Sequence, residues 1–466
     1  MRKIFNEVGS LDKKCYEKFS LNEELLMEHA ALALKKDIKK NIKAFDSTVL
    51  IVCGVGNNGA DGITLARLLQ NEYKNIHIYI PFELKSQMAI LQYKRLKLLG
   101  LNCIKDLSIV KKADCIVDCL FGSGLNKPLD EESNTIIDKL NEFNSYKIAC
   151  DIPSGIDNKG VIKTTAFKAD KTITMGALKL SLFADYAKEY IGKLKVANLG
   201  VSDIIYENDS NMFLLEKKDL KLPFRDTKNS HKGSFGHACV VVGCKKGAGV
   251  IASSAAFNFG AGLVTAIVHE ELQLPYYIMQ SHKLPSNVTA IALGMGLGLY
   301  DKNELKQILN TNVAKVIDAD LFYEELLLDY LNQEIILTPH PKEFCSLLSL
   351  AKLADIDIDT LQNNRFEYVK MFCKKYPKVT LLLKGANVII SQNDKLYVNI
   401  LGTSVLSKGG SGDVLSGLIV ALLAQGYNYL QSAINASLAH TLVAKKFQGN
   451  NYALTPKDLI KGIKSL

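Results

Sequence analysis

Two successive series of short apolar runs, each alternating with helical segments, constrain the fold of this chain more than any other feature. The runs are rich in β-branched residues and continuously apolar, as in strands buried on both faces of a parallel sheet. Strands alternating with helices predict a doubly wound α/β sheet whose ligand crevice lies at the carboxyl ends of the strands. The predicted strands are residues 47–54, 75–81, 114–122 and 146–155 in the first series, and 236–243, 262–269, 289–296, 314–320, 334–340 and 380–391 in the second. The clearest predicted helices are residues 63–73, 86–100, 249–262 and 413–426.

The two series predict two domains. A chain of 466 residues is too long for one ordinary core. Residues 217–233 are polar and lack apolar periodicity, so they form the weakest link between the series. We therefore predict one domain over residues 1–215 and a second over residues 216–466. Their motifs do not repeat each other, which indicates a fusion and not a duplication.

The net charge of +9 raises the question of a nucleic-acid partner. Almost all of the 57 basic residues are lysines scattered along the chain, without a basic tail or nucleic-acid motif, so a lysine-rich surface is the favoured interpretation. No apolar run reaches about 18 residues, and the first residues lack a secretory apolar segment. We expect a soluble, cytoplasmic homo-oligomer that binds small molecules and neither nucleic acid nor a membrane.

A glycine-rich segment, GVGNNGADG at 54–62, separates the first predicted strand from a helix. Glycines there let the backbone approach a ligand, and the helix presents unpaired N–H groups to an anion. The segment is neither a dinucleotide-binding G-x-G-x-x-G nor a phosphate-binding P-loop, so conventional nucleotide binding does not follow. A turn capped by asparagine or aspartate remains the alternative.

Two aspartates lie near the ends of later predicted strands in the same series. Asp118 falls inside an apolar strand, and Asp151 ends another before IPSGID. Carboxylate and amide oxygens are the ligands that a hard cation prefers. The placement predicts that both carboxylates converge on one crevice beside Asn57 and Asn58, although a buried aspartate can also cap a turn.

A second glycine-rich segment, KGGSGDVLSG at 408–417, opens a long apolar helix. The backbone N–H groups and the helix dipole make an anion hole there. Asp413 lies beside that hole, where it can orient or deprotonate a hydroxyl facing a phosphate; a simple N-cap is the alternative. His340, between two prolines, is either a ligand contact or a rigid loop residue.

The motifs GNNGADG, DCLFGSG and DIPSGID resemble the NAD(P)H-hydrate epimerase family. The resemblance implies a Rossmann-like fold, a potassium ion held by Asn58, Asp118 and Ser154, and Asp151 in contact with the hydrated ring. A carboxylate within hydrogen-bond reach of the ring hydroxyl can act as a general acid and then as a base, and our hypothesis gives this role to Asp151. It also implies that the substrate contacts Asn57, Asn58, Gly59, Ala60, Asp61, Gly122, Ser123, Gly124, Leu125, Asn126, Lys127 and Pro128. Ala60 stands where the family usually has glycine, and we expect its methyl group to crowd the substrate or to forbid a positive φ.

The motifs HKGSFGHACVVVG, GMGLG, TPHPKEF, LKGANVII and KGGSGDVLSG resemble the ADP- or ATP-dependent NAD(P)H-hydrate dehydratase family. The resemblance implies a ribokinase-like fold and a magnesium ion that accompanies the nucleotide. The residues implied to line the hydrated cofactor are Ala248, Gly296, His340 and Asp413. Those implied to hold ADP or ATP are Lys384, Gly385, Ala386, Asn387, Val388 and Gly412.

Together the two resemblances imply a repair activity on NADHX and NADPHX, the hydrated nicotinamide cofactors. The first domain would interconvert the R and S epimers. The second would dehydrate the S epimer at the expense of ADP or ATP, releasing AMP or ADP and phosphate. Two alternatives stay open: a ribokinase-like kinase for a small alcohol, and a first domain that senses nucleotides without catalysis.

Overall fold

A computed structural model describes residues 1–466 and divides them into two compact units. The first unit comprises Lys3–Ser210, and the second comprises Asn211–Leu466 together with Met1–Arg2. Strand Met212–Leu214 belongs to the second unit because it pairs in parallel with Lys395–Asn399. No helix in either unit has the length and apolar character needed to cross a membrane.

The first unit is built on a seven-stranded parallel sheet in the order β3-β2-β1-β4-β5-β6-β7. The strands are β1 (Thr48–Cys53), β2 (Asn75–Tyr79), β3 (Cys103–Ile104), β4 (Cys115–Cys119), β5 (Tyr146–Cys150), β6 (Lys171–Met175) and β7 (Lys193–Ala197). The chain order reverses between β1 and β4, and a ligand crevice is expected beside that point. Two short strands, Arg2–Phe5 and Leu178–Lys179, pair in parallel with each other.

The helices of the first unit begin at side-chain caps where the sequence supplies them. They are α1 (Gly9–Phe19), α2 (Glu23–Asn41), α3 (Asn57–Leu69), α4 (Gln87–Leu98), α5 (Glu131–Glu142), α6 (Lys188–Ile191) and α7 (Asp203–Tyr206). Asn22, Ser86 and Asp130 cap α2, α4 and α5 by accepting hydrogen bonds from backbone N–H groups of the first turn. By contrast, Gly56 precedes α3 without a side-chain cap, so the N–H groups of α3 remain directed at the crevice.

The second unit contains ten hydrogen-bonded strands in the order β11-β10-β9-β12-β13-β14-β15-β16-β17-β8. Its strands are β8 (Met212–Leu214), β9 (His237–Val241), β10 (Leu263–Ile267), β11 (Met279–Ser281), β12 (Ala290–Leu293), β13 (Ala314–Ile317), β14 (Ile336–Leu337), β15 (Thr380–Leu383), β16 (Val388–Gln392) and β17 (Lys395–Asn399). Neighbouring strands are parallel, except that β16 is antiparallel to both of its neighbours, β15 and β17.

The apolar helix that begins at Ser411 lies in the core of the second unit. Its helices are α8 (Lys246–Asn258), α9 (Lys302–Leu309), α10 (Pro341–Leu350), α11 (Ile358–Asn363), α12 (Arg365–Lys375), α13 (Ser411–Ala424), α14 (Tyr429–Lys446) and α15 (Pro456–Ile463). Every residue of α13 from Val414 to Ala424 is buried. At Gly417 a Cβ atom would lie 2.3 Å from the carbonyl oxygen of Ala252, so glycine lets α13 approach α8 this closely.

The predicted mixed α/β class with parallel sheets is confirmed, while some element boundaries differ. Residues 380–391 were expected to form one strand but form two, because residues 384–387 turn the chain and Leu383 pairs antiparallel with Ile389. The helix expected from residue 63 begins at Asn57, so the asparagine pair lies in its first turn. Strands β6 and β7 were not predicted, since their runs, KTITM and KLKVA, mix lysine or threonine with few apolar residues.

Candidate active sites

A cleft in the first unit opens where β1, β4 and β5 end, as expected for the carboxyl edge of a parallel sheet. Most residues predicted for the epimerase site line it. They are Asn57, Asn58, Asp61, Gly122, Ser123, Gly124, Leu125, Asn126, Lys127, Pro128 and Asp151. Gly59, Ala60, Asp118 and Ser154 lie behind that surface.

Two glycines allow the first turn of α3 to reach the cleft. At Gly54 a Cβ atom would lie 1.7 Å from the carbonyl oxygen of Leu120, and at Gly59 it would lie 1.9 Å from the carbonyl oxygen of Gly54. Both contacts are with backbone, so a side chain at either position would displace the loop. Gly59 therefore shapes the loop before α3 although it does not line the cleft.

The expected effect of Ala60 is wrong in both of its forms. The residue has an ordinary helical backbone inside α3, and its φ is not positive. Its methyl group is fully buried, where it packs with Met27 and Ala89 on α2 and α4. Because the side chain points into this helix interface and away from the cleft, it does not crowd a ligand.

Asp118 is a fully buried carboxylate on β4 that is bonded to neutral donors. Its Oδ1 accepts hydrogen bonds from the Ser154 hydroxyl (2.6 Å) and the Leu120 N–H (3.1 Å), and its Oδ2 accepts one from the Ser154 N–H (2.8 Å). Burial raises the pKa of Asp118 to about 6, although the bonds from Ser154 oppose that rise. The structure thus brings Asp118 and Ser154 into contact.

Asn58 completes this arrangement from α3. Its Nδ2 donates to the Phe121 carbonyl oxygen (2.9 Å), while its buried Oδ1 has no hydrogen-bond partner. The Phe121 N–H donates to the Ser154 hydroxyl oxygen (2.8 Å). The side chains of Asn58, Asp118 and Ser154 therefore surround the Leu120–Phe121 backbone, and the orphaned Asn58 oxygen fits the donor set that a hard cation needs.

Asp151 lies in the turn after β5 with a left-handed φ of 69°. Its Oδ1 accepts from the Lys179 ammonium (2.5 Å), the Met175 N–H (3.1 Å) and the Thr174 hydroxyl (3.2 Å), and its Oδ2 from the Ser123 N–H (3.3 Å). Burial by itself raises the pKa of Asp151, but the charge and hydrogen bond of Lys179, together with the backbone hydrogen bonds from Met175 and Ser123, outweigh it and hold that pKa below its ordinary value.

Sequence reasoning missed two groups in this cleft, Lys179 and Asp12. Lys179 is 1% exposed, and Asp12 on α1 accepts a hydrogen bond from the Tyr206 hydroxyl (2.7 Å). Lys179 follows β6 in the apolar stretch MGALKLSLF, where a lysine is unusual, and that was the available signal.

The second unit gathers charged groups around the start of α13. The Lys384 ammonium donates to Asp318 Oδ1 (2.8 Å), and Asp318 Oδ2 accepts from the Ser416 hydroxyl (2.8 Å). A Cβ atom at Gly412 would lie 3.7 Å from Lys384 Nζ. Burial, followed by the charge of Asp318, raises the pKa of Asp413 to about 6, and Lys384 opposes the rise. Asp413, Gly412 and Lys384 thus share one site.

His340 caps α10 next to this group and is half-buried. Its Nδ1 accepts from the Glu343 N–H (3.2 Å), and its Nε2 lies 3.1 Å from Glu343 Oε1. Burial raises the pKa of Glu343 to about 7, and the charge of Lys384 opposes that rise. Burial lowers the pKa of His340, and Lys384 lowers it further. The Lys384 N–H donates to the Pro339 carbonyl (2.9 Å), which joins the His340 loop to the predicted nucleotide loop.

The remaining predicted residues of the second unit occupy neighbouring loops. Arg365, which sequence reasoning missed, is buried and donates to the carbonyl oxygens of Lys384 (2.9 Å) and Asn387 (3.1 Å), so it fixes the turn 384–388. Gly296 has a φ of 59°, and a Cβ atom there would lie 3.4 Å from the Ala248 methyl group. Gly385, Ala386 and Val388 belong to the turn and the start of β16.

Two family models match the chain, one in each unit. The model described as YjeF-related protein N-terminus matches residues 23–181. The model described as NAD(P)H-hydrate dehydratase matches residues 238–465.

Similar proteins align over nearly the whole chain. A bifunctional NAD(P)H-hydrate repair enzyme of Helicobacter pylori is 44% identical and covers 100% of both chains. Its counterpart in Coxiella burnetii is 31% identical over 99% of this chain and 98% of its own. Among solved structures, an ADP/ATP-dependent NAD(P)H-hydrate dehydratase of Bacillus subtilis, co-crystallised with ATP and Mg²⁺, gives a TM-score of 0.45 at 23% identity and covers 55% of this chain and 98% of that chain.

Proposed function

The chain belongs to the family of bifunctional NAD(P)H-hydrate repair enzymes, and on that premise we propose that it repairs NADHX and NADPHX with one activity in each unit. The first unit interconverts the R and S epimers. The second removes water from the S epimer, with ADP or ATP as co-substrate and AMP or ADP and phosphate as products. The proposal rests on one observation. The chain is 44% identical to such an enzyme over its whole length, and each of its two units has its own cluster of carboxyl groups with shifted pKa values.

In the first unit, the substrate lies in the cleft between the first turn of α3 and the loop Gly122–Pro128. Backbone N–H groups at the uncapped start of α3 suit the cofactor's phosphates. Asp151, held ionised by Lys179, faces the hydrated ring and acts as a base. For this proton transfer, the ring carbon that carries the hydroxyl must lie within hydrogen-bond reach of the carboxyl groups of the cleft.

The cation of the first unit is potassium, held by Asn58, Asp118 and Ser154. The orphaned Oδ1 of Asn58 and the buried charge of Asp118 support this assignment, since both groups gain from a cation with oxygen ligands. When bound, the ion offsets the charge of Asp118. Asn58 and Ser154 then hold the loop after β4 next to the substrate, because both side chains hydrogen-bond to the backbone of Phe121.

In the second unit, the turn 384–388 and Gly412 hold the adenine nucleotide, and Ala248, Gly296, His340 and Asp413 line the S hydrate. Asp413 accepts the proton of the substrate hydroxyl as that oxygen is phosphorylated. Lys384 and the N–H groups at the start of α13 stabilise the charge of the transferred phosphoryl group. Phosphate then leaves far more readily than hydroxide, which explains why a nucleotide drives the dehydration. Magnesium, when bound with the nucleotide, neutralises phosphate charge.

A fragment comprising residues Asn211–Leu466 tests the division of labour. We expect it to dehydrate the pure S epimer and to leave pure R hydrate untouched, because the ten strands β8–β17 all lie within these residues. The measurement is the absorbance of the reduced cofactor after addition of each purified epimer with ADP or ATP. Equal rates with both epimers would contradict the assignment of epimerisation to the first unit.

A further inference from the structure

Three carboxyl groups from different elements share the cleft of the first unit with one buried ammonium group. Asp12 belongs to α1, Asp61 to α3 and Asp151 to the turn after β5, and all three line the cleft together with Lys179. The hydrogen bonds of the Lys179 ammonium go to Asp151, to Thr174 and to the Met175 carbonyl. The Lys179 ammonium is therefore engaged by Asp151, and it hydrogen-bonds to neither Asp12 nor Asp61.

Asp61 has the surroundings of a carboxyl group that keeps its proton. The only hydrogen bond to its carboxyl group is a weak one from the Cys150 thiol, at 3.8 Å from Oδ2. Burial, and then the charges of Asp151 and Asp12, raise the pKa of Asp61 well above its ordinary value. Asp151 has the opposite character, since its four donors include an ammonium group. Two carboxyls with pKa values displaced in opposite directions form an acid–base pair.

Resting on the epimerase activity proposed above, we infer that Asp61 donates the proton that releases the ring hydroxyl and that Asp151 receives the proton of the incoming water. The carbon–oxygen bond breaks with its electron pair on the departing water, and the lone pair of the ring nitrogen forms a carbon–nitrogen double bond. Water then adds to the other face, the nitrogen regains its pair, and one proton passes from the added water to Asp151. That proton returns to Asp61, which has the higher pKa, and the enzyme is restored.

Asp12, the third of these carboxyl groups, fits the same step. The intermediate is an iminium cation, and negative charge placed beforehand around it lowers the barrier to its formation. Asp12, fixed by the Tyr206 hydroxyl, and the ionised Asp151 supply that charge. The same two groups favour the protonated form of Asp61, so one arrangement prepares the acid and stabilises the cation.

The variant Asp61→Asn tests the assignment because it keeps the shape of the side chain and removes its proton. We expect kcat for epimerisation of pure R hydrate to fall by about 10²–10⁴-fold with little change in KM. Asp106→Asn is the matched control: it removes one negative charge from an exposed position outside the cleft, and asparagine can still accept the hydrogen bond from the Ser108 N–H. It should epimerise at the wild-type rate. A raised KM with unchanged kcat in Asp61→Asn would reduce Asp61 to a binding residue and overturn the assignment.

The pH dependence of epimerisation distinguishes a proton donor from a structural residue, because a purely structural role of Asp61 would leave it unchanged. Wild-type epimerisation should decline as pH rises through the pKa of Asp61, because the donor is lost, and Asp61→Asn should lack this limb. Asp61→Glu, which keeps a carboxyl group, should restore it, and this variant decides the matter if Asp61→Asn does not fold. The titratable groups that act electrostatically on or with Asp61 are Asp12, Tyr16, Glu23, Cys53, Cys119, Cys150 and Asp151.

The two proposals fail in different ways in this experiment. A wild-type protein that leaves pure R hydrate unchanged overturns the epimerase activity and the role of Asp61 with it. A wild-type protein that epimerises, together with Asp61→Asn that does so at the same rate and with the same pH profile, overturns only the role of Asp61. Incorporation of ¹⁸O from labelled water into both epimers supports release of the hydroxyl; epimerisation without incorporation contradicts it.

Discussion

Replacing Asp413 with asparagine should lower the rate of S-hydrate dehydration by about 10²–10⁴-fold, the effect of removing a positioned acid–base group. The substitution preserves the side-chain shape at the start of α13 and leaves the Lys384–Asp318 pair in place. Nucleotide binding should therefore persist. The measurements are single-turnover formation of reduced cofactor from pure S hydrate and nucleotide affinity by calorimetry.

The pH dependence of the wild-type protein gives this prediction a second readout. Burial raises the pKa of Asp413 to about 6, and a base acts only when ionised. Dehydration should therefore be constant above that pH and decline as pH falls through about 6. Epimerisation of R hydrate by Asp413→Asn should equal that of the wild type, since its residues belong to the other unit. Dehydration by this variant near the wild-type rate would show that Asp413 is not the base.

Replacing Asp118 with alanine should reduce epimerisation by about 10²-fold, the scale of a small misplacement of a catalytic loop. The substitution removes the acceptor for both Ser154 donors and the charge that a cation would offset. Dehydration of pure S hydrate should remain at the wild-type rate. Initial rates with each purified epimer measure both effects in one preparation.

The cation itself can be located by diffraction. A crystal of the full chain soaked in a heavier monovalent ion should give an anomalous peak within coordination distance of Asp118, Asn58 and Ser154, and Asp118→Ala should lose that peak. Full epimerase activity in Asp118→Ala, combined with no peak in the wild type, would leave Asp118 as an ordinary structural residue.

The sequence predicted the parts of the fold that depend on local pattern. Continuous apolar runs such as 47–54 and 114–122 contain the observed strands β1 and β4. Strands that are buried on both faces of a sheet are apolar at nearly every position, so the sequence reveals them. The glycine segments likewise occur where backbone packs on backbone, as Gly54 and Gly59 illustrate. Strands such as β6, with polar residues interleaved, gave no comparable pattern.

What depends on tertiary contacts was not predictable. The direction in which the Ala60 methyl group points follows from the packing of α2 and α4 on α3, and the chain reversal at 384–387 follows from pairing between β15 and β16. The ion pair of Lys179 with Asp151 joins residues 28 positions apart and has no motif. The resemblance placed Asp61 among the substrate contacts. The sequence could not show that its pKa is raised, because the groups that raise it, Asp151 and Asp12, are distant in sequence.

The central claim is that one chain carries both activities, and equal parts of R and S hydrate test it directly. The full chain is incubated with this mixture and excess ADP or ATP, and reduced cofactor is followed by absorbance while an enzyme-free control still holds the R epimer unchanged. Complete recovery of reduced cofactor is the predicted result. Recovery that stops at half would show a dehydratase without an epimerase, and no recovery with either nucleotide would contradict the proposed function as a whole.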